Sequence, residues 1–317
     1  MKNKAFDLKT LARYSPYLIL LILCIGMSIV SDSFLKWTNL LNVLKQSSFL
    51  LVMALGMTFA MILGRGADMS LGATVAISSC LSAFFLKSSC SVPTLILGFV
   101  ISLGIGALVG LINGALVSYL RLPALLVTYG MQNILRGVIY SIMEGDIVTN
   151  LHKSVSFLGA GMIGKIPVPI IIAALLTLLT AFILKRTELG RKLYVVGANA
   201  EAARFSGIKS NLVIIAGFAC TGIMAAIAGL MYIGRLGTAE AQIGAEFHLN
   251  AIAAAAIGGV SFNGGIANIG GVVAGAIILN LLSNGMNLLN ISSNWQGFIN
   301  GIIIIFAVHI SYGWSCS

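Results

Sequence analysis

Long apolar runs alternate with short polar breaks along almost the whole chain. The runs fall near residues 16–33, 47–64, 70–86, 93–118, 123–143, 167–184, 211–233, 249–262, 268–289 and 296–312. A membrane span needs about 20 apolar residues, and fewer where it is broken or packed among other helices. The pattern therefore predicts an all-α integral membrane protein of about ten transmembrane helices, some of them broken. The eighth run is short, and Gly-rich polar turns border the third and the eighth. Residues 1–15 read as a basic tail, and 16–317 as a single transmembrane domain.

Glycine punctuates the runs at helical spacing. Gly106, Gly110 and Gly114 stand four apart, as do Gly271 and Gly275. Small residues on one helix face let two backbones approach closely in lipid, so plain helix packing is the favoured reading. The stretch Gly66-Ala67-Asp68-Met69-Ser70-Leu71-Gly72 and the stretch Gly258–Gly271 are both Gly-rich breaks between apolar runs. Such a pair is the pattern of duplicated halves with discontinuous helices near the membrane midplane.

Composition agrees with lipid as the solvent. The chain is 58% hydrophobic and 9% charged, against about 25% charged residues in a soluble domain. The net charge of +10 does not imply nucleic acid, because the basic residues cluster at loops and termini, as cytoplasmic flanks do. The tail carries Lys2, Lys4, Lys9 and Arg13 ahead of a long apolar run with no small-x-small cleavage site. It reads as an uncleaved first span. Span counting returns Arg121 and residues 185–209 to the side of the basic N-terminus. The charge-balanced loop 144–166, with Glu144, Asp146, Lys153 and Lys165, falls opposite. Both termini are thus expected in the cytoplasm, although the tail Tyr312–Ser317 lacks the basic ending expected there.

Chemistry-bearing residues are sparse. Cys24, Cys80, Cys90, Cys220 and Cys316 form no metal-ligand spacing, and no metal or other cofactor is expected. His152 and His248 read as outer-loop residues, with His309 near the end of the last span, and no Ser/His/Asp set converges. Catalytic residues are not expected. Gly159-x-x-x-x-Gly164-Lys165 begins like a phosphate-binding loop, but Ile166 stands where Ser or Thr would hold magnesium. The chain has no nucleotide engine of its own.

Polar residues inside the spans are the candidates for a path. Asp68 lies in Leu63-Gly64-Arg65-Gly66-Ala67-Asp68-Met69-Ser70, where glycines can break a helix and Ser70 can cap the next one. A carboxylate at that depth is expensive unless paired, and Arg65 is the nearest cation in sequence. Lining a path and bracing the bundle both satisfy those energetics. Asn113, Thr128, Gln132, Asn133 and Arg136 also lie within spans. Asn280, Asn284 and Asn287 fall at i, i+4, i+7 on one helix face. Amides donate and accept, which suits a hydroxyl-rich solute, and interhelical hydrogen bonding is the competing explanation.

The segment 185–210 is a basic polar island between two apolar runs. Lys185, Arg186, Arg191, Lys192, Arg204 and Lys209 stand against Glu188 and Glu201. Asn199 is a good N-cap, Glu201 sits in a first turn, and Gly207 can close the end. A helix of about two turns follows, with Ala202 and Ala203 as a smooth face for a groove on a partner. A basic loop that only fixes orientation explains the charge but not Glu201-Ala202-Ala203-x-x-x-Gly207.

That motif resembles the cytoplasmic coupling motif of ABC-importer permeases. The run Gly190-Arg191-x-x-Tyr194-x-x-Gly197-x-Asn199-x-Glu201-Ala202-Ala203-Arg204-x-Ser206-Gly207-Ile208 is similar to ribose-type sugar permeases in particular. Ala54-Leu55-Gly56-Met57-Thr58, Asp68-x-Ser70-x-Gly72, Asn113-Gly114, Leu122-Pro123, Val127-Thr128, Ala251-Ile252-Ala253-Ala254, Gly258-Gly259-x-Ser261, Gly264-Gly265 and Asn284-Gly285 extend the resemblance over nearly the whole chain. It implies a permease in the plasma (inner) membrane of a prokaryote. It also implies a second permease copy, as a homodimer, two ATP-binding cassette subunits inside and an extracytoplasmic solute-binding protein outside. Members carry ribose, xylose, arabinose, galactose, allose or the autoinducer-2 furanose. Three positions depart from the family pattern: Arg65 for a Gly, Asn250 for an acidic residue, and Ile266-Ala267-Asn268 after Gly264-Gly265. They bear on the solute rather than on coupling. A permease for nucleosides or branched-chain amino acids is the rival within the class. A partner-free secondary transporter is the rival outside it, with Asp68 as its one ion site.

Overall fold

The computed structural model describes residues 8–292, 295–299, 301–302 and 305. Its elements are α1 (Leu8–Val30), α2 (Trp37–Met61), α3 (Leu71–Ala83), α4 (Val92–Tyr119), α5 (Ala124–Met143) and α6 (Lys153–Ala160). A hairpin of β1 (Met162–Ile163) and β2 (Ile166–Pro167) follows. Then come α7 (Val168–Arg186), α8 (Glu188–Ala198), α9 (Ala200–Phe205), α10 (Ser210–Leu236), α11 (Phe247–Ile257) and α12 (Ile269–Leu288). The last expected span falls mostly outside the described residues, as do Lys2, Lys4, His309 and the tail with Cys316.

Five helices, α2, α4, α7, α10 and α12, are long and apolar enough to cross a membrane. The chain is a multi-pass, all-α membrane protein whose one sheet among the described residues is the two-residue hairpin. α5 has 20 residues, and Gln132, Asn133 and Arg136 lower its apolarity. The third and eighth expected spans differ from the reading. α3 and α11 have 13 and 11 residues, or about 20 and 16 Å at 1.5 Å per residue. Neither crosses a hydrocarbon core of about 30 Å alone.

α2 and α10 form the centre. Residues 47–61 of α2 are buried on every side, and α10 packs against α2, α3, α4 and α6. Outer helices turn Ile29, Val92, Leu126 and Leu178 outward at 68–79% exposure, the surface expected of helices solvated by lipid. The spaced glycines are packing devices. A Cβ on Gly106 or Gly110 would collide with the carbonyl of Gly222 or Phe218 on α10, and one on Gly275 with that of Ala254 on α11. Removing side chains there brings the backbones together, as close helix crossings in lipid require. α1 makes a smaller core with α12, built on Phe34, Val43 and Leu281.

The phosphate-loop look-alike also resolves into packing. Gly159 lets α6 sit against Gly234 of α10. Gly164, at φ 62°, is the first residue of the two-residue hairpin turn, a position that favours Gly. His152 caps α6, its Nδ1 accepting from the Ser154 N–H at 3.2 Å.

Candidate functional site

The break between α2 and α3 holds the most enclosed carboxylate. Gly64 and Gly66 take φ 65° and 111°, conformations open to glycine, and turn the chain out of the helix. Asp68 is 2% exposed. Its Oδ1 accepts from the Ser70 N–H at 2.9 Å and from Ser70 Oγ at 2.7 Å. Asn113 Nδ2 on α4 donates to Ser70 Oγ at 2.8 Å. Thr128 Oγ1 on α5 accepts the Met69 N–H at 3.0 Å and donates to the Ala124 carbonyl at 2.8 Å. Two helices, α4 and α5, are thus tied to one break by side chains.

Two expectations for this break fail. Ser70 makes no side-chain cap bond to α3, because its hydroxyl is committed to Asp68. Arg65 is exposed, and the one ion pair among the described residues joins Lys192 to Glu188. Hydrogen bonding to Ser70, not an Arg65 ion pair, partners the Asp68 carboxyl.

Around α3 several buried polar atoms have no partner: Asn113 Oδ1, Gln132 Oε1, Arg136 Nη2 and His248 Nδ1. They lie on three helices that pack against α3: α4, α5 and α11. Thr128, Gln132 and Arg136 stand at i, i+4, i+8 and so share one face of α5. Arg136 Nη1 donates to the Ala241 carbonyl, leaving its other terminal nitrogen free. His248 is not an outer-loop residue. It lies in the first turn of α11 and is 5% exposed. A Cβ on Gly72 would lie 3.4 Å from its Nδ1. The sequence places Arg136 among the polar residues within spans, one helical turn beyond Gln132, whereas nothing in it marks His248 as buried.

The asparagines of α12 behave differently. Asn284 and Asn39 of α2 exchange side-chain hydrogen bonds, at 2.9 and 3.1 Å. Asn280 donates to the Ala276 carbonyl of its own helix. Asn287 is exposed and accepts from Gln296. Each of these amides has a partner, and Asn284 ties α12 to α2.

The polar island folds as an elbow of two short helices. Thr187 Oγ1 caps α8 by accepting from the Gly190 N–H at 3.2 Å. Asn199 Oδ1 caps α9, accepting from the N–H groups of Glu201 and Ala202 at 3.0 and 2.9 Å. Gly207 closes it at φ 81°. Glu188 hydrogen-bonds Lys192 at 2.6 Å, which holds its carboxyl below the usual range. Ala202 faces outward, but Ala203 is 1% exposed, so the expected two-alanine face is half-used by the fold itself. The outward apolar group is Phe205, 87% exposed, which the reading of the chain missed because it fits no small-residue pattern. Arg191, Glu201 and Arg204 are exposed.

The elbow touches both helix breaks through backbone. A Cβ on Gly197 would run into the Ile62 carbonyl at the end of α2, and Gly190 is as tightly packed on Ile183 and Leu184. The Ile62 carbonyl accepts the Gly265 N–H at 2.9 Å. A Cβ on Gly264 would lie 2.5 Å from Gly64 Cα and 2.6 Å from the Gly197 carbonyl. Gly64, Gly197 and Gly264 therefore bring the break before α3, the end of α8 and the break after α11 to one point.

A multi-pass helical protein with a surface elbow joined to two helix breaks is built as a transport subunit is built. The chain belongs to the family described as branched-chain amino acid transport system / permease component, which matches residues 39–308. It is 33% identical to the ribose import permease protein RbsC of Haemophilus influenzae, covering 97% of this chain and 96% of the relative. It is 36% identical to RbsC of Bacillus subtilis, covering 93% and 91%. It is 33% identical to the galactose/methyl galactoside import permease protein MglC of Haemophilus influenzae, covering 98% and 96%. No solved structure matches the chain.

Proposed function

We propose that this chain is the transmembrane permease subunit of an ATP-driven importer for a monosaccharide or similar polyhydroxy solute. The observation that carries the reading is the meeting of Gly64, Gly197 and Gly264. Backbone packed on backbone has no side chain to absorb movement, so a shift of the elbow reaches both breaks. The full-length similarity to ribose and galactose import permeases supports the solute class.

In this reading the coupling surface comprises Gly190, Arg191, Gly197, Asn199, Glu201, Ala202, Ala203, Arg204 and Gly207. Separate ATP-binding cassette subunits dock on it from the cytoplasm and hydrolyse ATP, and a solute-binding protein delivers from outside. Two permease copies form one path in the inner membrane, with both termini cytoplasmic. Asp68, Ser70, Asn113, Thr128 and Gln132 line that path, joined by Arg136 and His248. Arg65 stands at its inner mouth, while Asn280, Asn284 and Asn287 brace it.

Glu201→Ala and Gly207→Val are expected to abolish uptake while leaving normal amounts of protein in the membrane. Uptake that persists in cells lacking every ATP-binding cassette subunit overturns the reading. The family description favours a second solute, a branched-chain amino acid. Uptake of labelled ribose or galactose against labelled leucine, in the same cells, separates the two. An apolar side chain has no use for the free polar atoms of Gln132, Arg136 and His248.

A further inference from the structure

A pocket of about 540 Å³ opens between the end of α4 and the turn from α9 into α10, within the roughly 300–1,000 Å³ of small-molecule sites. Arg121, Arg204 and Lys209 line it together with Tyr119, Ser210 and Leu212, and no acidic residue does. The three cations come from two segments, Arg121 after α4 and Arg204 and Lys209 around the turn from α9 into α10; all are exposed, and none is among the ion pairs of the described residues. Arg121 holds a left-handed backbone at φ 53°, a conformation rare for a residue with a long side chain and kept only where surroundings enforce it.

The rim identifies the ligand. Tyr119 ends one membrane helix and Leu212 begins another, and both are more than half exposed. The pocket therefore lies at the ends of two candidate spans, and its lining combines apolar and cationic side chains. Tyrosine is enriched at membrane–water interfaces, and basic pockets between membrane helices take anionic headgroups. We propose that this pocket binds the phosphodiester headgroup of an anionic phospholipid, the acyl chains lying along Tyr119 and Leu212. The bound headgroup bridges the end of α4 to α9 and steadies the elbow. The proposal needs only the pocket's place at the membrane surface. The coupling role of α9 rests on the importer reading; the binding does not.

The test uses purified full-length protein in detergent, titrated with phosphatidylglycerol or phosphatidylcholine, with retained lipid counted by native mass spectrometry. Wild type is expected to retain phosphatidylglycerol in preference. Each basic side chain near an anionic surface is worth roughly fivefold, so R121Q/K209Q is expected to bind it about 25-fold more weakly. R121K/K209R keeps the charge and is expected to keep the preference, which separates lost charge from a damaged fold. Equal retention of the two lipids by wild type overturns the proposal, as does an undiminished preference in R121Q/K209Q. Displacement by inorganic phosphate would make this a site for soluble anions and would overturn the lipid. No step depends on transport, so failure here is distinct from failure of the importer reading.

Discussion

α5 and α12 each carry polar residues one helical turn apart, and the two helices use them in opposite ways. On α12, Asn280, Asn284 and Asn287 all have partners. On α5, Thr128 is bonded, but Gln132 Oε1 and Arg136 Nη2 are buried and free. An unpaired buried polar group costs about 1–3 kcal/mol, more when charged. An intramembrane Arg is costly however it is measured. In the proposed reading, a fold that meets those costs on α5 and removes them on α12 keeps α5 ready for a solute that enters and leaves. Polarity and spacing alone do not separate the two stripes; the unpartnered atoms of Gln132 and Arg136 do.

Arg136 gives the largest expected effect and the sharpest way to break the comparison. A hydrogen bond from a charged group is worth about 1.5–3 kcal/mol, so Arg136→Met is expected to weaken apparent solute affinity by roughly 10- to 100-fold. Arg136→Lys keeps the charge and should recover part of the loss. The measurement is concentration-dependent uptake of labelled ribose, normalised to membrane protein. Wild-type uptake by Arg136→Met would put α5 in the same bracing role as α12.

Gln132 should show a smaller effect of the same kind. A neutral hydrogen bond contributes about 1 kcal/mol, so Gln132→Leu is expected to raise the half-saturation concentration about fivefold, with maximal uptake little changed. An equal loss in maximal uptake alone would move Gln132 from contacting solute to supporting the break.

What the chain reveals by inspection is local. Apolar runs report helices because each residue's solvent is decided within a turn or two. The Asn199 cap and the Gly207 stop are legible because capping acts over three residues. Partners distant in sequence are not legible. Asn39 and Asn284 lie 245 residues apart, and Arg136 and Ala241 are 105 apart. No spacing rule connects them. The same limit hid the meeting of Gly64, Gly197 and Gly264. Each glycine was visible as a break or a motif position, but their mutual contact is a property of packing. The short lengths of α3 and α11 were also blurred, because the Gly-rich turns beside them are apolar enough to extend the runs.

The smallest effect on uptake is expected at the Asn39–Asn284 pair, and it tests the other half of the comparison. Asn39→Leu leaves the Asn284 amide unpaired inside the bundle, at a cost of about 1–3 kcal/mol, whereas Asn284→Leu leaves Asn39 its bond to the Phe34 carbonyl. Changing both removes the orphan along with the bond. Interhelical hydrogen bonds in membranes are worth about 0.6 kcal/mol on average. The double variant should therefore be more stable than the sum of the single losses allows, measured by thermal unfolding in detergent. Ribose uptake per folded molecule should match wild type in all three. A solute affinity that falls in Asn284→Leu and stays low in the double variant would mean that the α12 amide also touches solute. In that case having a partner in the resting structure would not be what separates the two stripes.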